Sequence, residues 1–330
     1  MTSALAVSGL TRRFGDRTAL DDVSIETDAG DLVAFLGPNG SGKTTLFRIL
    51  ATLLEPDSGS ATVMGHDISI DRARVRRNLG IVFQKPSIDP FLTVMENMTC
   101  QGRLYGLSGH DLNERINRQL ARFRLTDRAQ DRSGVLSGGL QRRLELAKGL
   151  LHDPRVLLLD EPSTGLDPAA RMELMDELSA LREDGVACLL TTHLMEEAQR
   201  CDRVAVMDHG RLIAFDSPVV LKSQVGGDVI VVEPVGAKRH HATQLAERLS
   251  QSSGLEARAA DGVVRIECED AHQRVPMLYE SLREDVESIR VGAPTLSDVF
   301  FHLTGRPLLD AEPEEDTPKR RGGRGANRRR

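Results

Sequence analysis

The sequence predicts an α/β core over residues 1–225, a small α+β module over 226–305 and a charged tail over 306–330. Three observations carry that expectation. Several segments are near-continuous apolar runs, the mark of strands covered on both faces. One of them ends in a glycine-rich turn that opens a helix. Near VGGD (Val225 to Asp228) the pattern changes to short strands alternating with amphipathic helices.

In order, LVAFLG (Leu32 to Gly37) reads as a buried strand and TTLFRILATLL as the helix after it. EPDSG (Glu55 to Gly59) is a turn cluster, ATVMG a short strand and GIVFQ (Gly80 to Gln84) another. Residues 86–135 carry helical periodicity and predict a mainly helical insert. RVLLLD (Arg155 to Asp160) and VACLLTTH (Val186 to His193) are again buried strands. Beyond them come strand DVIVVEPV, helix HHATQLAERLS, strands LEARAA and GVVRIEC split by Asp261-Gly262, helix AHQRVPMLYESLRE and strand VESIRV. That β-α-β-β-α-β order is the ferredoxin-like arrangement, with Pro276 as an irregularity in its second helix. Asp310 to Asp316 holds five acidic residues and Lys319 to Arg330 seven basic ones, with almost nothing to bury, so the tail is expected to be disordered.

At 330 residues the chain suggests two domains. Hydrophobic residues make up 40%, enough for a sizeable core, but aromatics only 3%, so that core must be aliphatic. A net charge of −6 gives no reason to expect a nucleic-acid partner. The four cysteines form neither a C-x-x-C pair nor zinc spacing, which suits a reducing compartment. No signal-peptide pattern opens the sequence, and no apolar run approaches the ~20 residues that cross a bilayer.

GPNGSGKT (Gly37, Pro38, Asn39, Gly40, Ser41, Gly42, Lys43, Thr44), followed by Thr45, matches the phosphate-binding loop G-x-x-x-x-G-K-[ST]. Its glycines let backbone N–H groups curl around phosphate oxygens, and the helix N-terminus adds partial positive charge. Lys43 should reach the β and γ phosphates, and the Thr44 hydroxyl should ligate Mg²⁺. VLLLDEP (Val156 to Pro162) sets Asp160 and Glu161 at a strand end. In isolation such a pair is a solvated turn. Beside a phosphate loop, Asp160 can hold Mg²⁺ and Glu161 can polarise the attacking water. LSGGLQRR (Leu136 to Arg143) places Ser137, Gly138 and Gly139 at a helix start, a second anion-binding end unless it is an ordinary serine cap. One chain has no evident need of two phosphate cradles, whereas two chains facing each other would.

With these motifs in this order, residues 1–225 resemble the ATP-binding cassette (ABC) nucleotide-binding subunits: phosphate loop, LSGG signature, VLLLDEP, STGLD (Ser163 to Asp167) and strand-end His193. The resemblance implies further roles. Phe14 falls where the family stacks an aromatic on adenine, and Gln84 matches the glutamine that contacts Mg²⁺ and the attacking water. Asp167 matches the aspartate that communicates across a dimer, and His193 the histidine bonded to the γ-phosphate. Two positions depart from the family pattern, Leu140 for the usual glutamine and Phe14 for the usual tyrosine. PTLSDVFFHLTGR (Pro294 to Arg306) is similar to the C-terminal stretch of drug- and antibiotic-exporting ATPases of the daunorubicin-resistance type. The resemblance thus implies an ATP- and Mg²⁺-dependent ATPase, dimeric, peripheral on the cytoplasmic face of the membrane and working with a separate permease. A non-transport ABC ATPase and an importer ATPase are the alternatives.

Overall fold

The computed structural model describes residues 3–308, apart from 237–238, 254–255, 261 and 283–284. A six-stranded sheet forms the centre, in the order β10-β9-β3-β8-β7-β6. Its strands are β3 (Leu32–Leu36), β6 (Leu79–Val82), β7 (Val156–Asp160), β8 (Ala187–Thr192), β9 (Arg203–Asp208) and β10 (Arg211–Asp216). All pairings are parallel except that of β10 with β9. Every residue of β3, β7 and β8 is buried, because both faces of the sheet are covered. Leu32, Ala34 and Leu36 enter one hydrophobic cluster while Val33 and Phe35 enter another. Leu157 and Leu159 alternate with Val156 and Leu158 in the same way, following the two-residue period of the pleat.

A four-stranded antiparallel sheet covers one face, ordered β2-β1-β4-β5. It comprises β1 (Ser3–Phe14), β2 (Arg17–Asp28), β4 (Ser58–Val63) and β5 (His66–Asp67). The other face is covered by helices, among them α3 (Val94–Leu104), α4 (Gly109–Arg122), α5 (Gly138–Gly149) and α6 (Pro168–Glu183). Thr93 begins α3 with a reciprocal cap: its side chain accepts from the Glu96 N–H, and the Glu96 carboxylate accepts from the Thr93 N–H. Helices α3 and α4 occupy the segment expected to be a helical insert. Helix α1 (Lys43–Leu50) follows β3, α2 (Arg72–Asn78) precedes β6, and the short α7 (Met195–Ala198) and α8 (Pro218–Ser223) flank β9 and β10.

The third sheet has strand order β12-β13-β11-β14, antiparallel throughout. It is built from β11 (Asp228–Pro234), β12 (Ala257–Ala260), β13 (Val263–Cys268) and β14 (Val286–Gly292), with helices α9 (Arg239–Ser253) and α10 (Ala271–Leu282). This is the ferredoxin-like order, and α10 continues through Pro276. Ile230, Val232, Val264 and Ile266 face α9 and α10 in a separate core. The alternate residues Val229 and Val231 face the opposite way and join the main cluster.

Helix α11 (Leu296–Thr304) fills the space on that second face. It starts with a Thr295–Asp298 capping box and ends at Gly305, which has φ 71°. Leu296, Val299 and Phe300 are buried in the main cluster with Leu221 and Val225 of the α/β core. Toward β13, Asp298 pairs with Arg265 and His302 with Glu267. Residues 306–308, expected to belong to a loose tail, are instead ordered against the core. Arg306 is paired with Asp208, and Leu308 is buried in the main cluster. Residues 309–330 lie outside the described residues.

Candidate active site

The parallel order β9-β3-β8-β7 sets four strand ends side by side, where α/β sheets bind ligands. The phosphate loop leaves β3. Gly42, at φ 103°, caps α1, and a Cβ there would stand 2.5 Å from the Ala19 carbonyl oxygen. A Cβ on Gly37 would lie 2.2 Å from the Met207 carbonyl oxygen. Glycine is thus enforced at both positions by packing as well as by the turn. Lys43 is only 5% exposed, and its ammonium folds back on the loop. It donates to the carbonyls of Gly37 at 2.7 Å and Pro38 at 2.9 Å, and to the Ser41 hydroxyl. Burial lowers its pKa, opposed by the Glu161 and Asp160 carboxylates.

Those carboxylates are held by a hydroxyl relay. The Thr191 hydroxyl donates to Asp160 Oδ1 at 2.7 Å and accepts from the Glu161 N–H at 2.8 Å. Thr44 Oγ1 donates to the same Asp160 oxygen at 3.2 Å. Glu161 adopts φ 45°, a left-handed backbone unusual for glutamate. Its Oε2 accepts from Gln84 Nε2 at 2.9 Å and from the Thr164 hydroxyl at 3.2 Å. His193 Nδ1 lies 3.8 Å from Glu161 Oε1 and is buried without a hydrogen-bond partner among the described residues. Gln84, Asp160, Glu161 and His193, from three separate sequence segments, therefore meet beside the phosphate loop.

A pocket of about 280 Å³ is lined by Phe14, Arg17, Ala19, Asn39, Gly40, Gly42, Lys43, Thr44, Thr45 and Glu161. Phe14, at the β1 end, is 49% exposed, with the Arg12 guanidinium 4.9 Å from its ring centroid. Ser137, Gly138 and Gly139 do not line this pocket. Ser137 caps α5 through a bond from the Leu140 N–H, and Ser137 and Gly138 are exposed. Asp167 caps α6, accepting from the Ala170 N–H at 3.0 Å. Among the described residues no group of three His, Cys, Asp or Glu could hold a metal. The Thr44 hydroxyl beside the Asp160 carboxylate nevertheless suits Mg²⁺, which takes few protein oxygens and completes its shell with phosphate and water.

Residues 20–164 match the family described as ABC transporter. The chain is 38% identical to the daunorubicin/doxorubicin resistance ATP-binding protein DrrA of Streptomyces peucetius, covering 95% of this chain and 96% of that one. It is 37% identical to the Nod factor export ATP-binding protein I of Ralstonia nicotianae, covering 94% and 96%. The chain belongs to the ABC transporter ATP-binding proteins. Among solved structures, CbiO1 of Clostridium perfringens, part of the ABC transporter complex CbiONQ, superposes with a TM-score of 0.63 at 26% identity, covering 76% of this chain and 96% of that one. As an ABC ATPase it binds and hydrolyses ATP as the partner of a membrane permease. Among the described residues no helix is long and apolar enough to cross a membrane.

Several residues of this ABC ATPase escape sequence reasoning. Thr191 is one; its only signal is a hydroxyl at the end of a buried strand. Arg142 is another. Its guanidinium is nearly buried, donating to the Pro162 carbonyl at 2.5 Å, the Phe83 carbonyl at 2.9 Å and Glu145 Oε2 at 2.7 Å. Glu145 also accepts from the Ser87 N–H. Helix α5 thereby fixes the segments carrying both Gln84 and Glu161. Nothing in LSGGLQRR distinguishes Arg142, which turns inward, from Arg143, which pairs with Glu173.

Proposed function

We propose that the chain is the motor of an exporter, working as a dimer in which two ATP molecules are sandwiched between facing copies. The exposed Ser137-Gly138 end of α5, outside the pocket that holds Lys43, carries this reading. A helix N-terminus open to solvent is half of an anion site. The partner's phosphate loop supplies the rest. Asp167 then lies at the contact between copies. The exporter assignment follows the named drug-resistance and Nod-factor-export relatives. Cargo of drug, antibiotic or lipid-like type would be bound by a separate transmembrane permease, with this chain peripheral on the cytoplasmic face of the membrane.

In this reading Gly37, Pro38, Asn39, Gly40, Ser41, Gly42, Lys43, Thr44 and Thr45 bind the phosphates, and Phe14 stacks on the base. Mg²⁺, held by Thr44, Asp160 and Gln84, would neutralise the β- and γ-phosphate charge. Lys43, held in the loop by the Gly37 and Pro38 carbonyls, would meet the β- and γ-phosphates. Glu161, already oriented by Gln84 and Thr164, accepts a proton from the attacking water. His193, whose Nδ1 has no hydrogen-bond partner among the described residues, would bond the γ-phosphate. Residues 1–225 carry this chemistry, and 226–305 form an accessory domain.

Mixing inactive chains tests the composite site. Lys43→Ala and Ser137→Arg are each expected to abolish hydrolysis as homodimers, while their mixture regains one intact site per heterodimer. A mixture as inactive as its components refutes the shared site.

A further inference from the structure

We propose that Arg306 is a positioning residue for the ATP site, acting on the phosphate loop through the turn Asp208-His209-Gly210. The inference rests on Lys43 and its loop binding the nucleotide.

The chain of contacts is short. Arg306 Nη2 pairs with Asp208 Oδ1 and lies 3.0 Å from His209 Nε2. Asp208 ends β9 and is buried, and His209 adopts φ 46° in the turn that follows. Gly210 N–H then donates to the Ser41 carbonyl at 3.1 Å, inside the phosphate loop. The Gly210 carbonyl accepts from the Asp21 N–H at 2.9 Å. On the loop side, a Cβ at Gly42 would come within 3.4 Å of the Gly210 Cα, and one at Gly37 within 2.2 Å of the Met207 carbonyl oxygen. The turn is therefore wedged between β2 and the phosphate loop. A shift of a few tenths of an ångström in it must be absorbed by the loop backbone.

What holds the turn comes from the far end of the sequence. Arg306 sits one residue beyond the Gly305 cap of α11, and its own N–H donates to the Thr304 hydroxyl. Helix α11 is anchored at both ends. Its first turn carries Asp298, paired with Arg265 on β13, and its apolar stripe is sunk in the main cluster. It links the accessory sheet, through Arg306, to the turn beside the phosphate loop.

The test is the affinity of the full chain for a fluorescently labelled ATP in the presence of Mg²⁺, read beside the thermal midpoint without nucleotide. Arg306→Ala is expected to weaken binding roughly five- to tenfold, the scale of a lost charge-assisted hydrogen bond only partly transmitted to the loop. Arg306→Lys, which keeps the charge, should recover part of that loss. Arg248→Ala, which removes an exposed ion pair with Asp285 elsewhere in the module, should leave affinity at the wild-type value. Affinity of Arg306→Ala within about twofold of wild type overturns the proposal, whether or not the midpoint falls. If Arg306→Ala does not fold, Asp208→Asn, which removes the charge that Arg306 pairs with, decides by the same criterion. Lys43→Ala separates the two layers of the argument: if it binds ATP normally, the site assignment fails. If it loses ATP while Arg306→Ala binds normally, only the role of Arg306 fails.

Discussion

Thr191→Val removes one hydroxyl from the buried end of β8 and almost no volume. The hydroxyl makes two bonds, donating to Asp160 and accepting from the Glu161 N–H. A hydrogen bond to a charged group is worth about 1.5–3 kcal/mol, and a buried N–H left without a partner costs about 1–3 kcal/mol. Without that acceptor the Glu161 N–H loses the bond that steadies its left-handed backbone, and with it the placement of the carboxylate beside Gln84 and His193. A combined loss of ~3 kcal/mol, half of it felt in the placement of the carboxylate, lowers kcat about tenfold. The loop that holds the phosphates does not contact the lost hydroxyl, so ATP affinity should stay near the wild-type value. Steady-state ATPase assays with parallel nucleotide titration separate the two. A kcat within about twofold of wild type would show that the relay does not orient Glu161.

A chain ending at Val225 loses the burial of Leu296, Val299, Phe300 and Leu308 against its main core. At ~1.5–3 kcal/mol per apolar side chain this rivals the ~5–15 kcal/mol that stabilises a typical domain. Its circular-dichroism melt should be broad and early, and a wild-type midpoint would refute the packing argument. His152 stacks on Tyr105 with ring centroids 3.7 Å apart and bonds to the Leu79 carbonyl, and burial holds its pKa below the ordinary value. Because the unfolded chain takes up this proton first, His152 stabilises fully above about pH 6.5 and progressively less as pH falls toward its folded pKa. His152→Gln should flatten that acid-side decline in urea midpoints, and an unchanged slope would show that another group governs it. Glu161→Gln should keep ATP binding but slow hydrolysis by ~10²–10⁴-fold, as loss of a general base does, and hydrolysis at the wild-type rate would exclude that role.

The buried central strands were legible because both their faces are covered, so their apolar runs needed no alternation. The hairpin of β1 and β2 was not. Its register is interrupted between Val7 and Leu10, around Gly9 at φ 61°, which breaks the two-residue period that marks a strand. The nucleotide motifs were legible because phosphate chemistry demands glycines and a lysine at fixed spacing. Thr191 and Arg142 were not, since their partners lie 31 and 20 residues away and only folding brings them together. Helix α11 was visible as an amphipathic stripe, but periodicity cannot say which of two cores a stripe enters.

That stripe makes the first core depend on the last part of the chain. The cluster around β3, β7 and β8 includes Leu296, Val299, Phe300 and Leu308. At synthesis rates of ~5–20 residues per second, the segment between Val225 and Leu308 takes roughly 4–17 s to make, a period in which Leu221 and Val225 have no cover. For those seconds the apolar side chains that α11 covers in the folded protein lack that partner. A delay inside the accessory segment, such as a run of slowly translated codons, would lengthen the interval in which another protein can cover them. Protease sensitivity of ribosome-bound chains arrested before and after Leu308 would report whether they are covered only at the end.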